Sequence, residues 1–177
     1  DTGPSQKENL YLIKIDASGN EEWSSDFGGS QTDVGVGVVQ ASDGGYVIAG
    51  YTKSYGAGRR DAYVVKVDVD GNLVWQRTVG GNDDDVAHSI SITDDGSFIV
   101  AGYTESFGLG KADAYLIKID AGGDIEWTDT FGGTGTEIGY NARQADDGGY
   151  ILVGSVGSRG RGSKDMYVVK TGPTPTP

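Results

Sequence analysis

The segment Asp68-Val69-Asp70-Gly71-Asn72 carries the first half of a calcium-loop signature. Hard cations take several oxygen ligands, and alternate acidic side chains in a tight turn can present them. Asp68, Asp70 and Asn72 are therefore a calcium candidate. The Glu that completes an EF-hand loop is missing at the required spacing, and the equivalent turns Asp16-Ala17-Ser18 and Asp120-Ala121-Gly122 lack the second acid. A plain Asx-type hairpin turn accounts for the same residues. No other cofactor is indicated.

Other polar residues recur at one spacing. Asp33, Asp85 and Glu137 form one set, and Asp61, Asp113 and Asp165, with Asn9 in the corresponding first place, form another. Such a ring of acids would bind a cation or polar ligand, or each would accept backbone N–H bonds in a turn. Lys14, Lys66, Lys118 and Lys170 sit in otherwise apolar segments; each is expected to pair with a recurring acid or to run its stem along a sheet toward solvent. His88 is the single histidine, so neither a zinc site nor a Ser/His/Asp arrangement is supported, and the reading is non-enzymatic. Tyr51, Tyr55, Tyr103 and Tyr140 offer either a sugar-stacking surface or packing. Arg159-Gly160-Arg161-Gly162-Ser163-Lys164 is a basic loop suited to docking on an acidic copy of the same chain. There is no Asn-x-Ser/Thr sequon.

All these residues are positioned by one repeat. Tyr11, Tyr63, Tyr115 and Tyr167 follow one another at intervals of 52 residues, as do Trp23, Trp75 and Trp127. A fixed period of this length implies a repeat architecture. Each unit predicts four strands. The first is Asp33 to Ala41, with equivalents Asp85 to Thr93 and Glu137 to Ala145. The second is Tyr46 to Thr52, Phe98 to Thr104 and Tyr150 to Val156. Asp-Gly turns join these two strands, a strong hairpin signal. The third is the Tyr-x-x-Lys-x-Asp phrase, apolar on both faces and so expected between neighbouring layers. The fourth is centred on the Trp and ends in Gly28-Gly29, Gly80-Gly81 or Gly132-Gly133.

Four antiparallel strands in roughly 40 to 50 residues, repeated radially, make the pattern of β-propeller blades. The phrases Asp-Gly-Gly-Tyr, Ala-Gly-Tyr-Thr, Tyr-Leu-Ile-Lys-Ile-Asp and a Trp before Phe-Gly-Gly resemble the propeller repeats of microbial, notably archaeal and bacterial, extracellular and cell-surface proteins. The resemblance covers residues 9–170. Asp120-Ala-Gly-Gly-Asp-Ile-Glu-Trp127 is also similar to the tryptophan-docking motif of quinoprotein propellers. That likeness implies that Trp23, Trp75 and Trp127 wedge between blades, each ring burying roughly 150–250 Å². Tyr11, Tyr63, Tyr115 and Tyr167 are assigned to the same structural packing.

The expected fold is thus all-β, with about three and a quarter units: 9–60, 61–112, 113–164 and a partial 165–170. Propellers usually have about 4–8 blades, so the tally leaves the ring open. Either the chain is a fragment of a larger propeller or another copy completes it. The favoured expectation is that residues 9–27 of one molecule add strands to residues 137–170 of the next, closing a ring or propagating a filament. The alternative is that the N-terminal strands close back on the chain's own last blade. Residues 1–8 read as a flexible lead-in and 171–177 as a Pro/Thr linker or stalk.

Composition agrees with many short strands and tight turns: there are 31 Gly among 177 residues, no Cys, and a formal charge of −12. The acidity argues against nucleic acid and anionic membranes as partners. No stretch has the length of a transmembrane helix, so direct membrane insertion is not expected. The expectation is a structural or adhesive module at the cell surface or outside the cell, with itself as main partner. The alternative is a lectin-like propeller that binds surface glycans or small ligands.

Overall fold

The computed structural model describes residues 8–157 and 164–173. Thirteen strands lie among them: β1 (Leu10–Ile15), β2 (Glu21–Phe27), β3 (Asp33–Gln40), β4 (Tyr46–Thr52), β5 (Asp61–Val67), β6 (Leu73–Val79), β7 (Asp85–Ile92), β8 (Phe98–Thr104), β9 (Asp113–Ile119), β10 (Ile125–Phe131), β11 (Glu137–Gln144), β12 (Tyr150–Val156) and β13 (Asp165–Lys170). They form four antiparallel sheets. Two are complete, β3-β4-β5-β6 and β7-β8-β9-β10. The first sheet has only β1 and β2, and the last has β11-β12-β13. β1 and β2 pair with each other in a sheet separate from β11–β13, so the alternative of self-closure is not adopted.

Each sheet is a meander whose turns follow from the sequence. In the Asp43-Gly44-Gly45 turn, Gly44 has φ +87°, Ala41 N–H donates to the Gly45 carbonyl, and the Asp43 carboxylate accepts from Gly45 N–H at 3.0 Å. The first strands of the second, third and fourth sheets, β3, β7 and β11, have eight residues against seven in their hairpin partners. The extra residue makes a bulge at one repeat position, Val36, His88 or Tyr140. Opposite each bulge stands a glycine, Gly50, Gly102 or Gly154, because a β-carbon there would collide with the carbonyl of Val34, Val86 or Ile138.

Neighbouring sheets stack face to face over three apolar clusters. One joins the first and second sheets (Leu10, Phe27, Ile48, Tyr63, Val65, Val67), one the second and third (Val47, Val64, Trp75, Phe98, Tyr115, Ile117), and one the third and fourth (Ile99, Leu116, Tyr150, Leu152). This explains why β5 and β9 are buried at every residue, whereas β13, with nearly the same phrase, alternates between exposed and half-buried. Propensity is equal; only neighbours on both faces remove a whole strand from water.

Candidate functional site

The calcium-like turn is an Asx turn. Asp68 Oδ1 accepts the N–H groups of Asp70 and Asn72, both at 2.9 Å, and Asn72 Nδ2 donates to Asp68 Oδ2 at 3.0 Å. Asp16 organises its own turn in the same way, through Ser18 N–H and Asn20 N–H, and Asp120 accepts from Asp124 N–H. The bonds from Asn72 and Asn20 hold the Asp68 and Asp16 carboxyls below the usual carboxylate range. The shared geometry therefore does not need the second acid, Asp70. Among the described residues, no group of three or more histidine, aspartate or glutamate side chains is placed to hold a metal ion.

The recurring lysines find recurring acids. Lys66 Nζ lies 2.6 Å from Asp43, Lys118 Nζ 2.7 Å from Asp95, and Lys170 Nζ 2.7 Å from Asp147. These acids occupy the Asp-Gly hairpin turn between the first and second strands of each sheet. Lys14 belongs to the first sheet, in which β1 and β2 are joined to no such hairpin, and it pairs with Glu22 instead, at 2.8 Å. Lys118 also reaches Glu126 at 2.9 Å. Burial opposes the Lys118 charge, but its bonds to Asp95 and Glu126 outweigh this and raise its affinity for the proton. Burial likewise opposes ionisation of Asp95, yet Lys118 and the Thr93 hydroxyl hold its carboxyl well below the normal range.

Of the two readings of the recurring acids, Asp33, Asp85 and Glu137 follow the backbone N–H acceptor, and they do so as buried staples between sheets. Asp33, Asp85 and Glu137 are fully buried. Asp33 accepts from Gly29 N–H at 2.8 Å, from Ser54 Oγ at 2.7 Å and from the Thr52 hydroxyl. Asp85 accepts from Gly81 N–H and Ser106 Oγ, and Glu137 from Gly133 N–H, each at 2.7 Å. Each acid thus ties the Gly-Gly end of one sheet to the first strand (β3, β7 or β11) of the next. Asp61 and Asp113 lie across a glycine from Asp85 and Glu137, so close that a side chain at Gly80 or Gly132 would strike both carboxylates. Burial, with the nearby Glu137 charge, pushes the Asp113 carboxyl up.

The tryptophans wedge between sheets, as the likeness to the tryptophan-docking motif implies. Trp23 Nε1 donates to the Val69 carbonyl at 3.0 Å, and Trp75 Nε1 to the Ala121 carbonyl at 3.2 Å. Gly71 and Gly123 sit on the two indoles, where a β-carbon would approach within 2.7 Å. Tyr46, Phe98 and Tyr150 of the following sheets complete each contact. Trp127 differs. Its Nε1 is buried and has no acceptor among the described residues, and it lines a groove of about 300 Å³ with Phe131, Thr171, Gly172 and Pro173.

Three of the four tyrosines singled out in the sequence, Tyr51, Tyr103 and Tyr140, lie in one row with Arg60, Asp84 and His88, which the sequence did not join to them. Arg60 donates to Asp84 Oδ2 at 2.6 Å and to Tyr103 Oη at 3.1 Å, with its guanidinium 5.5 Å from the Tyr51 ring centroid. His88 lies 5.6 Å from Tyr103 and stacks on Tyr140 at 5.8 Å, while its Nδ1 bonds the Gly139 carbonyl at 2.9 Å. The bulges carry His88 and Tyr140 outward into this row. The signal available in the sequence was the extra residue in β3, β7 and β11, which shifts register within a hairpin. Tyr55 stands apart: it packs on Tyr63 and donates to the Gly28 carbonyl at 2.7 Å.

The ends of the stack are apolar. Tyr11, Ile13 and Ile15 of β1 are 62, 47 and 58% exposed, although Tyr63, Val65 and Val67, and Tyr115, Ile117 and Ile119, are buried at the same repeat positions. Tyr11 is expected to pack; it does not, because no sheet among the described residues covers the outer face of β1. On the last sheet Ile151, Val153, Met166 and Val168 are exposed where the inner sheets bury their equivalents, while Tyr167 is half-buried against the third sheet. Of the basic loop, residues 158–163 lie outside the described residues, as do 1–7 of the lead-in and 174–177 of the tail.

Fold and sites define an all-β protein of repeated antiparallel units whose recurring side chains serve packing and turns. No protein-family model matches the chain. It is similar to the regulatory protein FlaEY of Caulobacter vibrioides, at 27% identity over 187 residues that cover 86% of this chain and 19% of that protein. The chain therefore spans about a fifth of the length of that relative.

Proposed function

We propose that this chain is a non-enzymatic structural or adhesive module of β-propeller type, working at the cell surface or outside the cell, that associates through its incomplete terminal sheets. The observation that carries this reading is the exposure of Tyr11, Ile13 and Ile15 at positions buried in both inner sheets. The two ends are not the same surface, so the join is head-to-tail and gives a ring if the rotation closes and a filament otherwise. Backbone pairing at the open edge of β13, or beside β12 once β13 has left it, would supply much of the affinity. The expectation is that light scattering after gel filtration finds mass rising across a concentration series, and that Ile13→Asp abolishes the rise. A wild-type chain that stays monomeric at every concentration overturns the reading.

A second reading is favoured by the row Tyr51, Arg60, Tyr103, His88 and Tyr140. Aromatic faces beside a guanidinium and a carboxylate suit a polar ring stacked on them, as in glycan binding. A glycan array probed with wild type and with Tyr140→Ala decides it: hits lost in the variant support a lectin, and an empty array removes it.

A further inference from the structure

The tryptophan wedge is satisfied twice within the chain and left half-made at each end. Trp23 and Trp75 each receive a turn from the following sheet, with Gly71 or Gly123 against the ring and the Val69 or Ala121 carbonyl on the indole N–H. Trp127 has the ring, the aromatic neighbour Tyr150 and a groove, but no acceptor among the described residues. Its repeat-equivalent glycine position is Pro175. Conversely, the Asp16–Asn20 turn has the matching geometry and no tryptophan. Gly19 has φ +86°, against +82° and +92° for Gly71 and Gly123, and nothing lies within 4 Å of the place a β-carbon would take. Asp16 holds that turn in the same Asx conformation as Asp68.

We infer that the Asp16–Asn20 turn of a second copy of this chain docks on Trp127, with Gly19 against the indole and the Ala17 carbonyl accepting from Nε1. The inference rests on the head-to-tail association proposed above and specifies its key. At the inner junctions the docking turn always joins the third and fourth strands of the sheet beyond the tryptophan. To bring its turn to Trp127, the incoming β1–β2 hairpin must therefore stand beside β12, in the place of β13. β13 is suited to leave. It is an edge strand, and its Met166 and Val168 are 84 and 56% exposed where β1 offers the buried Leu10 and half-buried Leu12. The exchange also turns Tyr11, Ile13 and Ile15 toward the third sheet, the side on which Tyr167 and Val169 now pack.

Three versions of this chain test this: wild type, Gly19→Asn and Trp127→Phe. Asparagine tolerates a left-handed conformation, so Gly19→Asn folds as a monomer and adds bulk only where the indole would sit. Trp127→Phe keeps an aromatic ring on Tyr150 and removes the N–H. Association measured by light scattering is expected to weaken at least tenfold in both. Hydrogen exchange on wild type across the concentration series is expected to show Asp165–Lys170 losing protection as residues 10–27 gain it. If wild type associates but both variants associate equally well, or β13 keeps its protection, the keyed exchange is wrong while association stands. If wild type never associates, both ideas fall together, and Trp127 takes no turn from a second copy.

Discussion

Lys118 shows what the repeated lysine does. Its stem is buried while its amine meets Asp95 and Glu126, so the ion pairs join the β7–β8 turn to β10 across β9. Lys118→Met should lower stability by about 1–2 kcal/mol in urea unfolding, below the cost of breaking a fully buried pair because Asp95 is half-exposed and screened. The pH dependence has a definite sign. Asp95 has a lowered carboxyl, so its contribution is present above the ordinary carboxylate range and is lost as pH falls through its folded value. Lys118 is raised, so its contribution is full below the ordinary lysine range and is lost as pH rises through its folded value. The gap between wild type and Lys118→Met should therefore be widest near neutrality and close at both extremes. Asp113 runs the other way. Its raised carboxyl favours the fold below the unfolded value and loses that favour as pH rises. Asp113→Asn, which copies the residue type of Asn9, should raise stability at neutral pH by on the order of 1 kcal/mol, as read from urea midpoints at pH 4 and pH 7. An equal effect at both values would mean that charge is not the cause.

At the scale of the element, one turn occurs with and without its tryptophan. Gly19 and Gly123 share a left-handed backbone, but only Gly123 touches an indole. Gly19→Ala should cost about 1–2 kcal/mol, the strain of the conformation alone. Gly123→Ala adds overpacking against Trp75 and should cost about 1–3 kcal/mol more. Thermal unfolding of the two variants at a concentration that keeps them monomeric measures the difference. Equal losses would mean that the indole yields without cost. The bulges of β3, β7 and β11 each carry one extra residue, and the facing glycine makes room for the bent backbone.

At the scale of the molecule, the stack ends in apolar faces on a chain of charge −12. Like-charged copies repel at low salt, and apolar burial is insensitive to screening. Association is therefore expected to strengthen between 50 mM and 500 mM NaCl. Sedimentation velocity at one protein concentration checks this. Weakening with salt would point instead to ion pairs, such as a basic segment on an acidic copy.

Much of the architecture is local in origin and so was legible from one unit. The Asp-Gly turns, the Asx turns at Asp16, Asp68 and Asp120, and the alternation of the strands depend on neighbours a few residues away, and the 52-residue step carries them from unit to unit. The step also marked Trp23 and Trp75 as recurring, their likeness to a docking motif supplied the wedge, and a recurring acid was one of two expectations for Lys66 and Lys118. It did not reveal that Asp33, Asp85 and Glu137 are buried staples, because their partners are glycine N–H and hydroxyl groups joined only when sheets stack. Nor did it show the row from Arg60 to Tyr140, which depends on a register shift inside three hairpins. The fate of Tyr11 makes the division plain. Its sequence context nearly repeats that of Tyr63, yet one ring is in water and the other in the core, because burial depends on whether a sheet covers that face, a property no residue carries within its own segment.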